Sequence, residues 1–173
     1  MDERVPPSCT ETIPLLGASG FKAAWNRRNR TAEESGVHVA RIEHLLNRYG
    51  SMAPEVLAII AERPELAEPL PGADDYLQAE AVYAATHEGA RHVHDVLTRR
   101  TRISIEAWDR GVSAVPVVAK LMGEVLGWSD VQRESEIKHY IARVEAERLS
   151  QQQPDDESAD AARMGVDNIV PLR

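Results

Sequence analysis

The residues best suited to chemistry lie in one stretch, residues 86–104, with the sequence THEGARHVHDVLTRRTRIS. It holds three His, one Glu, one Asp and four Arg. His87, Glu88 and His92 resemble the zinc motif H-E-x-x-H, whose two His share one helical face while the Glu acts as a base. Here the second His is one position late, and Arg91 stands where the ligand belongs. Since five residues separate the two His by about 140° around a helix, we predict no zinc site.

The arginines of this stretch are predicted to have a structural role. Asp95 and Arg99 are four residues apart, in the acid-first order that favours an ion pair on a helix. Clustered arginines repel one another unless carboxylates or carbonyl groups lie between them, and a planar guanidinium can satisfy several acceptors. We therefore predict a hydrogen-bonded seam formed by Glu88, Asp95, Arg99, Arg100 and Arg102. Glu88 is the expected partner across helices.

Nucleic-acid binding is the other role that basic clusters suggest. Such clusters occur at residues 27–30 (RRNR) and 99–102 (RRTR). Neither is interleaved with aromatic residues for base stacking, and the chain carries a net charge of -8 at pH 7. Because this charge opposes the electrostatic attraction that nucleic-acid binding requires, we predict no nucleic-acid partner.

The composition is that of one helical globular domain. Of the 173 residues, 43% are hydrophobic and only 5% are aromatic, and β-branched residues rarely alternate with polar ones. Cys9 is the only cysteine, which excludes an intrachain disulfide and suits a reducing cytoplasm. No run of eighteen apolar residues occurs, and the N-terminus is acidic and polar. We therefore predict a cytoplasmic protein with no membrane-inserted segment and no signal peptide.

Hydrophobic periodicity predicts an all-α fold, a compact bundle of five or six helices. One amphipathic helix is predicted between Gly36 and Gly50, where Gly50 is placed to end it. Its apolar stripe consists of Ile42, Leu45, Leu46 and Tyr49. Small residues dominate from Tyr76 to Ala90, which suits a helix packed closely against its neighbours. A break is expected near Gly89, followed by a helix carrying DVLTRRTRI.

Three further helices complete the predicted bundle. Ser51 can cap a short helix that Pro64 ends. A second helix should end at Gly127, and Ser129 should cap the last one. The residues expected to face the core of these helices are Val56, Leu57, Ile60, Leu121, Met122, Val125, Leu126, Ile137, Tyr140, Ile141 and Val144.

The ends of the chain are predicted to differ from this helical domain, which spans residues 10–150. Residues 1–9 form a flexible leader, and residues 10–20 an extended segment that packs its apolar side chains and then turns at Gly17 and Gly20. Residues 151–173 are polar, acidic and without periodicity, so too little apolar area is available to offset the entropy of ordering. We predict a disordered tail there.

Three segments carry a resemblance to a known family. They are TIPLLGA at residues 12–18, YLQAEAVYAATHEGARHVHDVLTRRTRIS at 76–104 and VAKLMGEVLGW at 118–128. In this order they resemble the C-terminal helical domain of FAD-dependent glycerol-3-phosphate dehydrogenases, over about residues 10–150. The central segment is the most specific, because an Ala-rich helix, an acidic-His turn and a D-V-L-x-R-R-T-R run rarely coincide.

The resemblance implies an enzyme that oxidises sn-glycerol 3-phosphate to dihydroxyacetone phosphate and passes electrons through FAD to membrane quinone. It also implies that the full-length enzyme is peripheral to the inner face of the plasma membrane. This chain resembles only the last third, and it lacks the G-x-G-x-x-G turn that holds the FAD pyrophosphate. We therefore predict no catalytic residue, no metal and no FAD contact in this chain, which alone should be inactive.

Two function hypotheses follow. In the first, the chain is the accessory domain of a flavoenzyme, and the PLLGA segment at residues 14–18 packs at the junction with a flavin domain, in cis or in trans. In the second, it is a stand-alone helical module that binds another protein without catalysis. A homo-oligomer is compatible with both hypotheses.

Overall fold

The computed structural model of the protein describes residues 8–166. These residues contain nine α-helices and one two-stranded sheet, which confirms the all-α class. The helices outnumber the predicted five or six because several are too short to show a periodic pattern. The described residues form two compact units, 8–61 and 62–166. Within them, no helix is long and apolar enough to cross a membrane.

The first unit consists of four helices joined by short turns. They are α1 (Phe21–Asn26), α2 (Arg28–Ser35), α3 (Val39–Tyr49) and α4 (Ala53–Glu62), with a 3-10 turn, Gly50–Met52, before α4. Helix α3 buries the four residues of its predicted stripe, and α4 buries Val56 and Ile60. The amphipathic pattern therefore located most of the core of this unit, although Leu57, also expected to face the core, is only half-buried.

Gly50 ends α3, as predicted, for a reason that the sequence did not show. Its φ of 59° lies in the left-handed region, and the Ser51 N–H donates to the Gly17 carbonyl at 2.9 Å. A Cβ atom on Gly50 would lie 2.1 Å from the Gly17 oxygen. Only glycine fits this close approach of two backbone segments.

The segment before α1 differs from the prediction. Residues 16–20 form the turn expected at Gly17 and Gly20, but residues 10–12 also form a turn where an extended segment was predicted. The apolar side chains of this segment also do not pack, because Leu15 is 82% exposed, Leu16 is 91% exposed and Ile13 is also exposed. Residues 1–7 of the predicted leader lie outside the described residues.

The second unit surrounds a central helix. Its elements are β1 (Pro69–Leu70), β2 (Ala73–Leu77), α5 (Gln78–Thr86), a π-helix (Asp95–Arg100), α6 (Ile103–Glu106), α7 (Val115–Leu126), α8 (Asp130–Ser150) and α9 (Asp156–Met164). A 3-10 turn, Pro64–Ala67, precedes β1, and another, Val112–Ala114, lies between α6 and α7. Strands β1 and β2 are antiparallel, with Pro69 opposite Leu77 and Leu70 opposite Ala73.

Helix α5 is buried on all sides, as its small residues predicted. Every residue from Ala79 to Ala85 is buried, and α5 packs against α7. Glu80 is fully buried in this helix, where its carboxylate accepts the Leu77 N–H at 2.9 Å and so caps the helix start. The helix ends at Thr86, and the predicted break near Gly89 is present.

The ends of α7 and α8 also follow the prediction. Helix α7 stops at Gly127 in the left-handed conformation, and Ser129 caps α8 by accepting the Gln132 N–H at 3.3 Å. Among the residues expected to face the core, the buried ones are Leu121, Met122, Tyr140 and Val144. The half-buried ones are Val125, Leu126, Ile137 and Ile141. These caps place α8 so that its buried face runs beside α7.

Helix α9 corrects part of the predicted disordered tail. Asp156–Met164 is helical and packs against α8. Asp155 caps it by accepting the Ser158 N–H at 2.8 Å, and acidic residues in its first turn favour the helix dipole. Composition alone missed these local signals, although no residue of α9 is fully buried. The last part of the predicted tail, residues 167–173, lies outside the described residues.

Candidate functional site

The arginine-rich stretch folds as a loop followed by the π-helix Asp95–Arg100. The Asp95 carboxylate accepts the backbone N–H groups of Arg91 and His92, each at 3.0 Å, and so fixes the start of the helix. At the other end, the N–H and hydroxyl of Thr101 both donate to the Val96 carbonyl at 2.8 Å. These contacts stabilise both ends of the π-helix. A π-helix is a wide helical turn that is rare in proteins and often lies at functional sites.

Asp95 and Arg99 form the ion pair that their spacing suggested, at 2.7 Å between Arg99 Nη1 and Asp95 Oδ1. Burial raises the pKa of Asp95, but the N–H groups of Arg91 and His92 and the Arg99 charge outweigh it, so the pKa is lowered overall. The Arg99 side chain is exposed. An exposed pair of this kind contributes little stability.

His94 lies half-buried beside this pair. Its Nδ1 atom is 2.8 Å from Arg99 Nη1, and since a guanidinium can only donate, Nδ1 accepts and Nε2 carries the proton. Burial, followed by the charges of Arg143 and Arg99, lowers the pKa of His94 to about 4. The imidazole is therefore neutral at pH 7.

The other residues of the predicted seam are distributed over several contacts. Arg102 pairs with Glu106 at 3.3 Å on the exposed surface, and Glu106 also accepts the Tyr76 hydroxyl at 2.7 Å. The Nε atom of Arg100 and the Oε2 atom of Glu88 are buried. Both side chains interact with other residues. The structure thus brings Asp95 and Arg99 together and places Arg102 in a separate pair. The role of Glu88 as cross-helix partner stays a prediction.

The histidines of the zinc-like pattern have different surroundings. The His87 ring stacks on Tyr83 with centroids 4.6 Å apart, and its Nδ1 is 2.7 Å from the Thr86 hydroxyl. His92 instead faces Glu136 on α8. Among residues 8–166, no group of three or more His, Cys, Asp or Glu is arranged to hold a metal ion.

Glu136 is the residue at this site that the sequence analysis missed. Its carboxylate is 5% exposed, lies 2.7 Å from His92 Nδ1 through Oε1, and accepts the Val93 N–H at 3.0 Å through Oε2. It thereby fastens the loop before the π-helix to α8. The signal was available, because Glu136 precedes the buried Tyr140 and Val144 by four and eight residues on one helical face.

A cavity of about 170 Å³ lies between the π-helix and α8. Its polar lining includes His94, Thr98, Ser104, Arg110, Tyr140, Arg143 and Glu147. The Tyr140 hydroxyl donates to the Arg110 carbonyl at 2.7 Å, and burial raises the pKa of Tyr140 to about 12. Arg110 forms an ion pair with Glu147. Hydrogen bonds and ion pairs within the protein therefore engage several of these groups, which favours a structural role.

The fold and this site define a helical domain in which polar contacts fasten the loop before the π-helix to α8. The family described as the C-terminal domain of alpha-glycerophosphate oxidase matches residues 8–133. The chain belongs to this family. It shows no match to a solved structure.

Named relatives give the same result. Glycerol-3-phosphate dehydrogenase 2 of Mycobacterium tuberculosis strain H37Rv is 49% identical over 160 residues, which are 92% of this chain and 27% of the relative. The glycerol-3-phosphate dehydrogenase of Mycobacterium leprae is 49% identical over the same shares. That of Synechocystis is 31% identical over 137 residues, 78% of this chain and 24% of the relative. The chain thus spans about a quarter of their length.

Proposed function

We propose that this chain is the accessory C-terminal domain of an FAD-dependent glycerol-3-phosphate dehydrogenase, with a flavin domain as its partner in cis or in trans. The supporting observation is that identity of 49% extends over 92% of this chain but over only 27% of the relative. In the complete enzyme, sn-glycerol 3-phosphate would be oxidised to dihydroxyacetone phosphate and electrons would pass to quinone. We place that enzyme in the cytoplasm, peripheral to the inner face of the plasma membrane, and assign it no nucleic-acid partner.

The residues of this chain do not fit FAD. A dinucleotide site uses a parallel strand, a glycine-rich turn and a helix N-terminus to hold the pyrophosphate. Within residues 8–166, the single sheet is an antiparallel pair, β1 and β2. We therefore assign FAD and the catalytic groups to the partner domain, and derive no chemical step from this chain.

We assign this chain a structural role in the complete enzyme. The proposed seam of Glu88, Asp95, Arg99, Arg100 and Arg102 would stabilise the domain rather than contact substrate. Outside the seam, Leu15 and Leu16 stand exposed on the segment before α1. Adjacent exposed apolar side chains are typical of a surface that another domain covers. This exposure supports the junction with the flavin domain proposed for residues 14–18.

A chimera tests the proposal. The matched C-terminal segment of the Mycobacterium tuberculosis relative is replaced by this chain, and bound flavin and oxidation of glycerol 3-phosphate with an artificial electron acceptor are measured. We expect a yellow protein with activity within about tenfold of the parent, a loss of about 1.4 kcal/mol or less in transition-state stabilisation.

The matched control chimera carries the corresponding segment of the Mycobacterium leprae relative. If that control retains flavin and activity while the chimera with this chain loses both, the proposed function is wrong. That outcome would favour the stand-alone interaction module.

A further inference from the structure

Trp108 is the most exposed large apolar residue of the second unit, with 98% of its surface open to solvent. Ile105, three residues earlier, is 72% exposed. Both lie at the end of α6 and in the turn after it. We call these two residues, with the exposed ion pair Arg102–Glu106 at their edge, the Trp108 surface.

The backbone that carries Trp108 is held firmly on the side facing the domain. The Asp109 carboxylate accepts the N–H groups of Gly111 at 2.9 Å and Ser113 at 2.7 Å. The Arg110 carbonyl accepts the hydroxyl of the buried Tyr140 at 2.7 Å. Trp108 is therefore presented on an ordered turn and not on a loose loop.

This turn also contains strained backbone. Arg110 has a φ of 59°, in the left-handed region that is unfavourable for a non-glycine residue. Gly111 follows with a φ of 81°, and a Cβ atom there would lie 2.8 Å from Ile103 Cγ2. Such strain persists where surrounding contacts over-determine the backbone, and it clusters at functional sites.

An exposed tryptophan on ordered backbone has the properties of an interface anchor. Tryptophan is enriched among the residues that contribute most to protein binding. Because the turn is already ordered, docking would lose little conformational entropy at this position. The Arg102–Glu106 pair at the edge matches the polar rim that surrounds such anchors.

We propose that the Trp108 surface docks onto the flavin domain of the dehydrogenase, an inference that rests on the function proposed above. The matched segment makes up 27% of the relative, so the rest of that polypeptide is about three times as long as the segment. A domain that belongs to so long a polypeptide needs a surface that contacts the rest of it. The Trp108 surface lies inside the family match, residues 8–133. The exposed Val131 also lies inside it but is a single aliphatic side chain, whereas the exposed Leu149 and Met164 lie outside it. It is therefore the surface of this unit best placed for an interface shared by the family.

The first experiment measures the accessibility of Trp108 itself. Hydroxyl-radical oxidation of Trp108 is followed by mass spectrometry in this chain alone and in the chimera with the flavin part of the Mycobacterium tuberculosis relative. The peptide containing Trp128 serves as internal reference. We expect Trp108 to be oxidised at least about tenfold more slowly in the chimera, because the flavin domain would cover the indole.

The second experiment uses Trp108→Ala. In the isolated chain, the thermal midpoint should stay unchanged, because the indole contacts mainly solvent. In the chimera, the midpoint should fall by about 2 to 4 °C, since an interface anchor is lost. Met164→Ala is the matched control, an exposed apolar residue outside the family match, and should leave both midpoints unchanged.

The outcomes separate this inference from the proposed function. An active, flavin-loaded chimera in which Trp108 is oxidised as fast as in the isolated chain would overturn the docking surface alone. The docking surface would also be overturned if oxidation of Trp108 in the isolated chain slowed as the protein concentration rose. In that case a second copy of this chain, and not the flavin domain, would cover Trp108. A chimera without flavin or activity, beside a working Mycobacterium leprae control, would contradict the proposed function and this inference with it.

Discussion

At the scale of single residues, His94 links the stability of the domain to pH. Its folded-state pKa of about 4 lies below the value of about 6.5 for an unfolded histidine, so the unfolded chain binds more protons between these values. The contribution of this histidine is fully present above pH 6.5 and is lost as the pH falls towards 4. We expect His94→Asn to lose less stability between pH 7 and pH 5 than the natural chain, measured by urea unfolding.

The control for this prediction is His38→Asn. His38 is exposed at the start of α3, where asparagine can also cap the helix. The stability of this variant between pH 7 and pH 5 is measured beside that of the natural chain and of His94→Asn. An NMR titration in which His94 gains its proton near pH 6.5 would contradict the depressed pKa directly.

Two carboxylates test which polar contacts of the site stabilise the domain. Glu136 is buried and accepts the Val93 N–H, whereas Glu106 is largely exposed beside Arg102. We expect Glu136→Ala to lower the free energy of unfolding by about 2 to 3 kcal/mol, because it leaves a buried N–H without its acceptor. Glu106→Ala should cost less, about 1 kcal/mol, because it removes an exposed ion pair and one hydrogen bond from the Tyr76 hydroxyl. Chemical denaturation measures both, and equal losses would show that burial does not decide these contributions.

At the scale of elements, the turn after α3 depends on glycine at position 50. A methyl group there would meet the Gly17 carbonyl at 2.1 Å, whereas Gly36, which ends α2 with a φ of 69°, has open space around it. We expect Gly36→Ala to cost about 1 to 2 kcal/mol, the left-handed strain alone, and Gly50→Ala to cost clearly more. Thermal unfolding compares the two. Equal losses would mean that the Gly17 segment moves away at little cost.

Local signals explain which elements the sequence could predict. The stripe of α3, the stop at Gly127 and the cap at Ser129 each depend on a few neighbouring residues, and the structure contains all three. The π-helix could not be predicted in the same way, because its wide turn depends on Thr101 and on a buried backbone. The pairing of His92 with Glu136 joins residues 44 positions apart in sequence, a distance that periodicity does not span.

At the scale of the whole molecule, the function proposed above assigns structural support to this chain and the chemistry to a flavin domain. Short polar and apolar patterns predicted the helical class, and the resemblance indicated the family to which the chain belongs. The exposed Trp108 was not singled out, since a lone tryptophan in sequence does not reveal whether its side chain is buried. Its exposure is a property of the folded chain, in which the hydrogen bonds of Asp109 and Arg110 order the turn that carries it.

The assignment of the cofactor site to the flavin domain predicts which polypeptide binds FAD. FAD needs backbone N–H groups at a glycine-rich turn, and the described residues pair their only strands in antiparallel fashion. We expect the isolated chain to be purified colourless, and to stay so after incubation with FAD and gel filtration. The chimera treated identically should show the visible flavin absorbance near one equivalent. If the isolated chain retained FAD at that ratio, the cofactor site could not belong to the partner domain alone, and the accessory role would have to be abandoned.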